Sequence, residues 1–152
     1  MRAINRVIIH CSATPEGRNV SAEDIRRWHL ARGWSDIGYH YVIELDGTVK
    51  PGRCISRIGA GVRGHNRDSV HICYVGGLDR DGKPKNTITP GQRLALRRVC
   101  KALCRVLMRP LSLHGHNEYA AKACPSFNVS TELSTLAAFL AEPGRDCVID
   151  EG

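Results

Sequence analysis

Apolar positions along the chain switch between two periods, and the switches outline the elements. Val7, Ile8 and Ile9 form a continuous β-branched run inside residues 6–12, which predicts a short buried strand. A helix is expected from Ser21. Ser21 and Asp24 have capping-box spacing, Ile25, Trp28 and Ala31 recur on one face, and Gly33 closes the pattern. Residues 39–45 read as a strand, Asp46-Gly47 as a tight turn, and residues 48–50 as the returning strand of a hairpin. A glycine-rich loop follows at 59–64. Another strand at 70–75 ends at Gly76-Gly77, and residues 79–89 are a polar loop. Thr89 and Pro90 open the longest helix, with Leu94, Leu96, Val99, Leu103, Val106 and Leu107 as a broad apolar face and Pro110 just past its end. Residues 111–114 suit a last short strand. A final helix starts near Ser130, with Leu133, Leu136, Ala137 and Leu140 on one side. Strands alternating with helices, plus one hairpin, predict an α/β fold: a central mixed sheet flanked by about three helices. With no internal repeat or long linker, residues 1–152 are expected to form a single domain.

Composition narrows the class. Hydrophobic residues make up 42% and charged residues 24% of 152, which fits a globular chain and not a disordered one. No apolar run approaches the roughly 20 residues of a membrane span. The run at Val7–Ile9 is also too short for the signal-peptide core of about 7–15 residues. The chain is therefore expected to carry no export signal and to accumulate in the cytoplasm. The cysteine count is odd, at seven, and Cys100 and Cys104 sit in an apolar run, which suits a reduced compartment. The net charge of +7 favours anionic partners such as nucleic acid, a membrane surface or an acidic wall polymer.

Three residues have the chemistry of metal ligands: His10 at the end of the first strand, His116, and Cys124 beyond a seven-residue spacer. Zinc takes imidazole nitrogen and thiolate sulfur in a tetrahedral shell, and three protein ligands leave one position open, the pattern of catalytic sites. Each residue also has a plainer reading. His10 suits a structural strand-end histidine, Cys124 a packed thiol, and His114 competes with His116. Lys122 is either an ammonium placed beside a developing oxyanion or a solvated surface lysine. Tyr39 is either a proton donor and acceptor or a half-buried strand aromatic.

The combination of fragments is more specific than any one of them. Val-Ile-Ile-His-Cys-Ser-Ala-Thr at 7–14, Ile-Arg-Arg-Trp-His at 25–29, Gly33-Trp34, Gly-Tyr-His-Tyr at 38–41, Asp-Gly-Thr-Val at 46–49, Gly-His-Asn at 64–66, Val-Gly-Gly at 75–77 and Lys-Ala-Cys-Pro-Ser-Phe at 122–127 occur in this order. The set resembles the zinc-dependent N-acetylmuramoyl-L-alanine amidases, most closely the small bacteriophage amidase-type lysozymes, which share the fold of peptidoglycan recognition proteins. The resemblance implies a Zn²⁺ site of His10, His116 and Cys124, with Tyr39 and Lys122 as the catalytic pair and His40 at or near the cleft. It implies hydrolysis of the bond between N-acetylmuramic acid and L-alanine in peptidoglycan, by a phage or prophage endolysin acting on the wall after release or export. A monomer is expected.

Two positions depart from that family's pattern. Gly61 stands where a loop histidine is common, so a substrate-wall contact is either missing or supplied by Arg63 or His65. His71 stands where glycine is common, as a core histidine or as a filler of the space at Gly61. Two other readings compete with hydrolysis. A non-catalytic peptidoglycan-binding module would typically lack a ligand, whereas all three are present. A nucleic-acid binder is not expected, because the chain has no helix-turn-helix, aromatic stacking platform or dense basic stripe.

Overall fold

The computed structural model describes residues 1–142, so Cys147 lies outside the described residues. The β-branched run forms β1 (Arg6–Cys11), and it becomes a central strand. β1 pairs in parallel with β5 (Ser69–Tyr74) on one side and β7 (Ser112–Gly115) on the other. β3 (Tyr41–Ile43) extends the sheet in parallel beside β5, and β4 (Val49–Pro51) closes the edge in antiparallel pairing with β3. The order is β4-β3-β5-β1-β7, the expected mixed sheet. A pair that sequence patterning did not indicate, β2 (Thr14–Pro15) with β6 (Gly77–Leu78), forms a second, two-stranded sheet.

Alternation along β1 divides its side chains between two faces. Val7, Ile9 and Cys11 join Val70, Ile72 and Tyr74 in the larger core. That core is covered by α2 (Pro90–Leu107), α3 (Val129–Glu132) and α4 (Ser134–Ala141). Ile8 and His10 belong to the opposite face, where α1 (Ala22–Ala31) packs Ala22 and Ile25 against Ile37, Val42 and Cys73. Both expected caps form: Ser21 accepts from the Asp24 N–H, and Thr89 accepts from the Gln92 N–H. Gln92 is fully buried. Its Oε1 accepts from the Thr89 N–H while its Nε2 donates to the Val75 carbonyl, so one side chain caps α2 and ties it to the sheet.

Four expectations need correction. The strand expected at 39–45 is regular only over Tyr41–Ile43: the Tyr39 and His40 carbonyls accept from the Arg53 and Gly52 N–H groups beyond β4, and the Glu44 N–H donates to the Thr48 carbonyl across the turn, although the His40 N–H still donates to the His71 carbonyl of β5. The buried side of α1 is Ala22, Ile25 and His29, whereas Trp28 is 38% exposed. Leu94 and Val106 of α2 face outward, and its buried stripe runs through Ala95, Leu96, Cys100, Leu103 and Cys104. The last helix is two, because Leu133, at φ −120° and ψ 29°, interrupts helical geometry between α3 and α4.

Candidate active site

The C-terminal ends of β1 and β7 deliver the chemistry. His10 is the second-last residue of β1, is fully buried, and faces away from the larger core. His116 begins a single 3₁₀ turn (His116–Glu118) directly after β7. Cys124 sits in the loop that follows, tied to that turn by the Asn117 N–H donating to its carbonyl at 2.8 Å. The two imidazole rings are 4.9 Å apart between centroids, and the Cys124 Sγ is 3.8 Å from His10 Nδ1. One nitrogen or sulfur from each of the three residues lies within 4.8 Å of the others. A tetrahedral zinc at ordinary bond lengths places nitrogen and sulfur about 3.6 Å apart, so the donor types suit that ion and the 3.8 Å between His10 Nδ1 and Cys124 Sγ is close to that spacing. The neighbouring Cys11 thiol and burial raise the Cys124 thiol, and the Cys11 N–H, 3.3 Å from its Sγ, works in the opposite direction.

Burial comes first among the causes that lower the pKa of His10 well below the ordinary histidine value, followed by the neighbouring His71 and His116. His116 is lowered by burial and by the Lys122 ammonium. Both rings are thus held neutral, as ligands must be. His114 is engaged elsewhere: its ring bonds Glu118 and Ser112, both at 2.9 Å. The candidate donor group contains His116 and not His114.

A cleft of about 540 Å³ opens over this cluster, lined by Arg32, Trp34, Asn66, His116, Tyr119 and Lys122 together with residues 60–63. A smaller adjoining pocket of about 220 Å³ exposes Tyr39, His116, Lys122 and Cys124 together. The Tyr39 ring is 4.8 Å from His10, and burial raises its hydroxyl well above the usual tyrosine range, so it keeps its proton. Arg63 lines the cleft as expected. His65 stands behind the wall instead, its ring centroid 4.3 Å from that of Tyr119 in a tilted pair, and accepts from Arg6. His40 is corrected more fully. It is buried, with Nδ1 accepting from the His71 N–H and Nε2 2.8 Å from the Arg57 carbonyl, so it touches neither cavity.

His29 was missed by sequence reasoning. It accepts from the Gly38 N–H at 2.9 Å and packs 5.3 Å from Tyr39, fixing the segment that carries that tyrosine. The available signal was its spacing four residues after Ile25. Arg32, Trp34, Asn66 and Tyr119 were also missed as cleft residues, since single polar or aromatic residues in loops carry no periodicity.

Comparison with known proteins points to one family. An endolysin of Klebsiella phage KP32 is 42% identical over 125 residues, covering 82% of each chain. Among solved structures, the N-acetylmuramoyl-L-alanine amidase LysC from Clostridium intestinale URNW is 26% identical with a TM-score of 0.74, covering 91% of this chain and 86% of that one. Drosophila PGRP-LB is 28% identical with a TM-score of 0.75, covering 89% and 82%. Fold and cleft together define a peptidoglycan amidase. The chain belongs to the N-acetylmuramoyl-L-alanine amidase family, whose model matches residues 1–127.

Proposed function

We propose that the chain hydrolyses the amide between the lactyl group of N-acetylmuramic acid and L-alanine with a Zn²⁺ held by His10, His116 and Cys124. The observation that carries the reading is the convergence of these three donors within 4.8 Å on the wall of a cleft that also holds Tyr39 and Lys122. When bound, zinc polarises the scissile carbonyl and brings the ionisation of water near neutral pH. Lys122 is exposed at the cleft and carries the positive charge that stabilises the oxyanion of the tetrahedral intermediate. Tyr39 stays protonated and donates a hydrogen bond at the reacting amide. Arg63 and Arg32 line the open part of the cleft and face the carboxylates of the stem peptide. The complete donor set supports hydrolysis over binding alone.

The endolysin relative supports a phage or prophage role, with the enzyme accumulating inside the host and reaching the wall after release. No helix among the described residues is long and apolar enough to cross a membrane. Mass spectrometry of purified peptidoglycan after incubation with the zinc-loaded protein, beside Cys124→Ala, tests the reading. Stem peptides with a new L-alanine amine, absent from the variant digest, are expected. Intact stems, or cleavage at a sugar linkage, would overturn it.

A further inference from the structure

His71 lies on β5, one strand away from His10, and its ring is wholly buried on the same face of the sheet. Its Nδ1 is 2.9 Å from His10 Nε2. The other nitrogen of His10, Nδ1, is the one turned toward the Cys124 Sγ. His10 is therefore held between two partners, one at each ring nitrogen. If Nδ1 gives its lone pair to a metal, the ring proton must sit on Nε2, and His71 Nδ1 is the acceptor in line with it.

The surroundings hold His71 at its backbone, its ring face and its Nδ1, while its buried Nε2, which carries the ring proton when Nδ1 accepts, has no hydrogen-bond partner among the described residues. Its backbone N–H donates to His40 Nδ1 at 3.0 Å, and the two rings stack with an interplanar angle of 6°. The glycine-rich loop covers the ring. A Cβ at Gly61 would collide with His71 Nδ1 and lie 2.7 Å from its Cε1, and one at Gly59 would lie 2.8 Å from its Cδ2. That loop is itself clamped, because the Asn66 Oδ1 accepts from the N–H groups of both Gly61 and Val62. The two departures noted in the sequence are thus one feature: the His71 ring occupies the space that a side chain at Gly61 would need.

We propose that His71 is a positioning residue that accepts the Nε2–H of His10, fixing which nitrogen His10 presents to the metal, and that Gly61 is required to admit it. This rests on the zinc reading above. Removing an acceptor that orients a ligand histidine typically weakens metal binding about 10–100-fold. Zinc affinity is measured by competition with a chromophoric chelator for the wild type, His71→Leu, His71→Asn and Gly61→Ala. His71→Leu and Gly61→Ala are expected to lose about 10–100-fold. His71→Asn, which returns an acceptor near the Nδ1 position, is expected to recover most of that loss. Histidine ¹⁵N NMR of the zinc-loaded wild type gives a readout that needs no variant: His10 should be the Nε2–H tautomer with Nδ1 bound. Wild-type affinity in folded His71→Leu, or a His10 bound through Nε2, would overturn the proposal. A wild type that binds no stoichiometric zinc would instead overturn the metal reading beneath it.

Discussion

At the scale of single residues, the proposed site divides into groups that would hold the metal and groups that would act beside it, and substitutions separate the two. Tyr39→Phe keeps the ring packed against His10 and removes only the hydroxyl. It should lower kcat by about 10²–10⁴-fold with zinc content unchanged, as read by steady-state cleavage of a soluble muropeptide and by metal analysis. Lys122→Ala should cost about 10²–10³-fold in kcat. Because its ammonium already disfavours positive charge at His10 and His116, this variant should bind zinc at least as tightly as the wild type. Motif order singled out His10, His116, Cys124, Tyr39 and Lys122 because ligand chemistry is written in residue types, and the fold brings these residues together. His40 and His65 were misplaced for a related reason: a motif gives a neighbourhood, and which side of a strand or loop faces the cleft is decided by tertiary packing.

At the scale of elements, periodicity predicted which helices form better than which side they bury. Ile25 has helical neighbours at both three and four residues. The bulkier Trp28 was the obvious choice, yet α1 buries His29, whose Nδ1 finds the Gly38 N–H. β2 and β6, at two residues each, are too short to carry any period. Inside α2, Leu96 is 1% exposed in the larger core, and Leu96→Ala should cost about 2–5 kcal/mol in urea unfolding. The ties made by His29 and His40 also set a pH dependence. Each uses Nδ1 as an acceptor from a backbone N–H, and burial, the main cause, holds each at about 4. The unfolded chain binds these protons near pH 6.5 and the folded chain near 4, so stability falls as pH drops through this window and is flat above it. The two together should contribute up to about 2.7 kcal/mol per pH unit to a slope that the other buried histidines, His10 and His71, also steepen, so their share is read as the difference between wild type and Asn variants in urea unfolding between pH 6.5 and 4. Asn substitution at His29 or His40 should flatten that slope.

At the scale of the whole molecule, the α/β class and the mixed sheet were legible from the alternation of strand and helix signals. The order β4-β3-β5-β1-β7 was not, because register and neighbour choice depend on contacts between distant segments. The metal donors make such a contact: His10 and Cys124 are 114 residues apart in sequence. Bound zinc should therefore stabilise the entire fold, by about 4 kcal/mol at a thousandfold excess of free ion over Kd. Calorimetry with and without a chelator checks this, and an unchanged Tm would mean that the donors do not hold the ion in the folded state.

β1 leaves the ribosome first among the strands, yet both of its neighbours come later, β7 more than a hundred residues later. Until β7 and the Cys124 loop have been synthesised, the nascent chain has an unsatisfied central strand and only one of three metal donors. Pairings this distant in sequence also form slowly. A chain that ends before Cys124 lacks the full donor set, so truncated copies are expected to hold no zinc and to cleave no peptidoglycan.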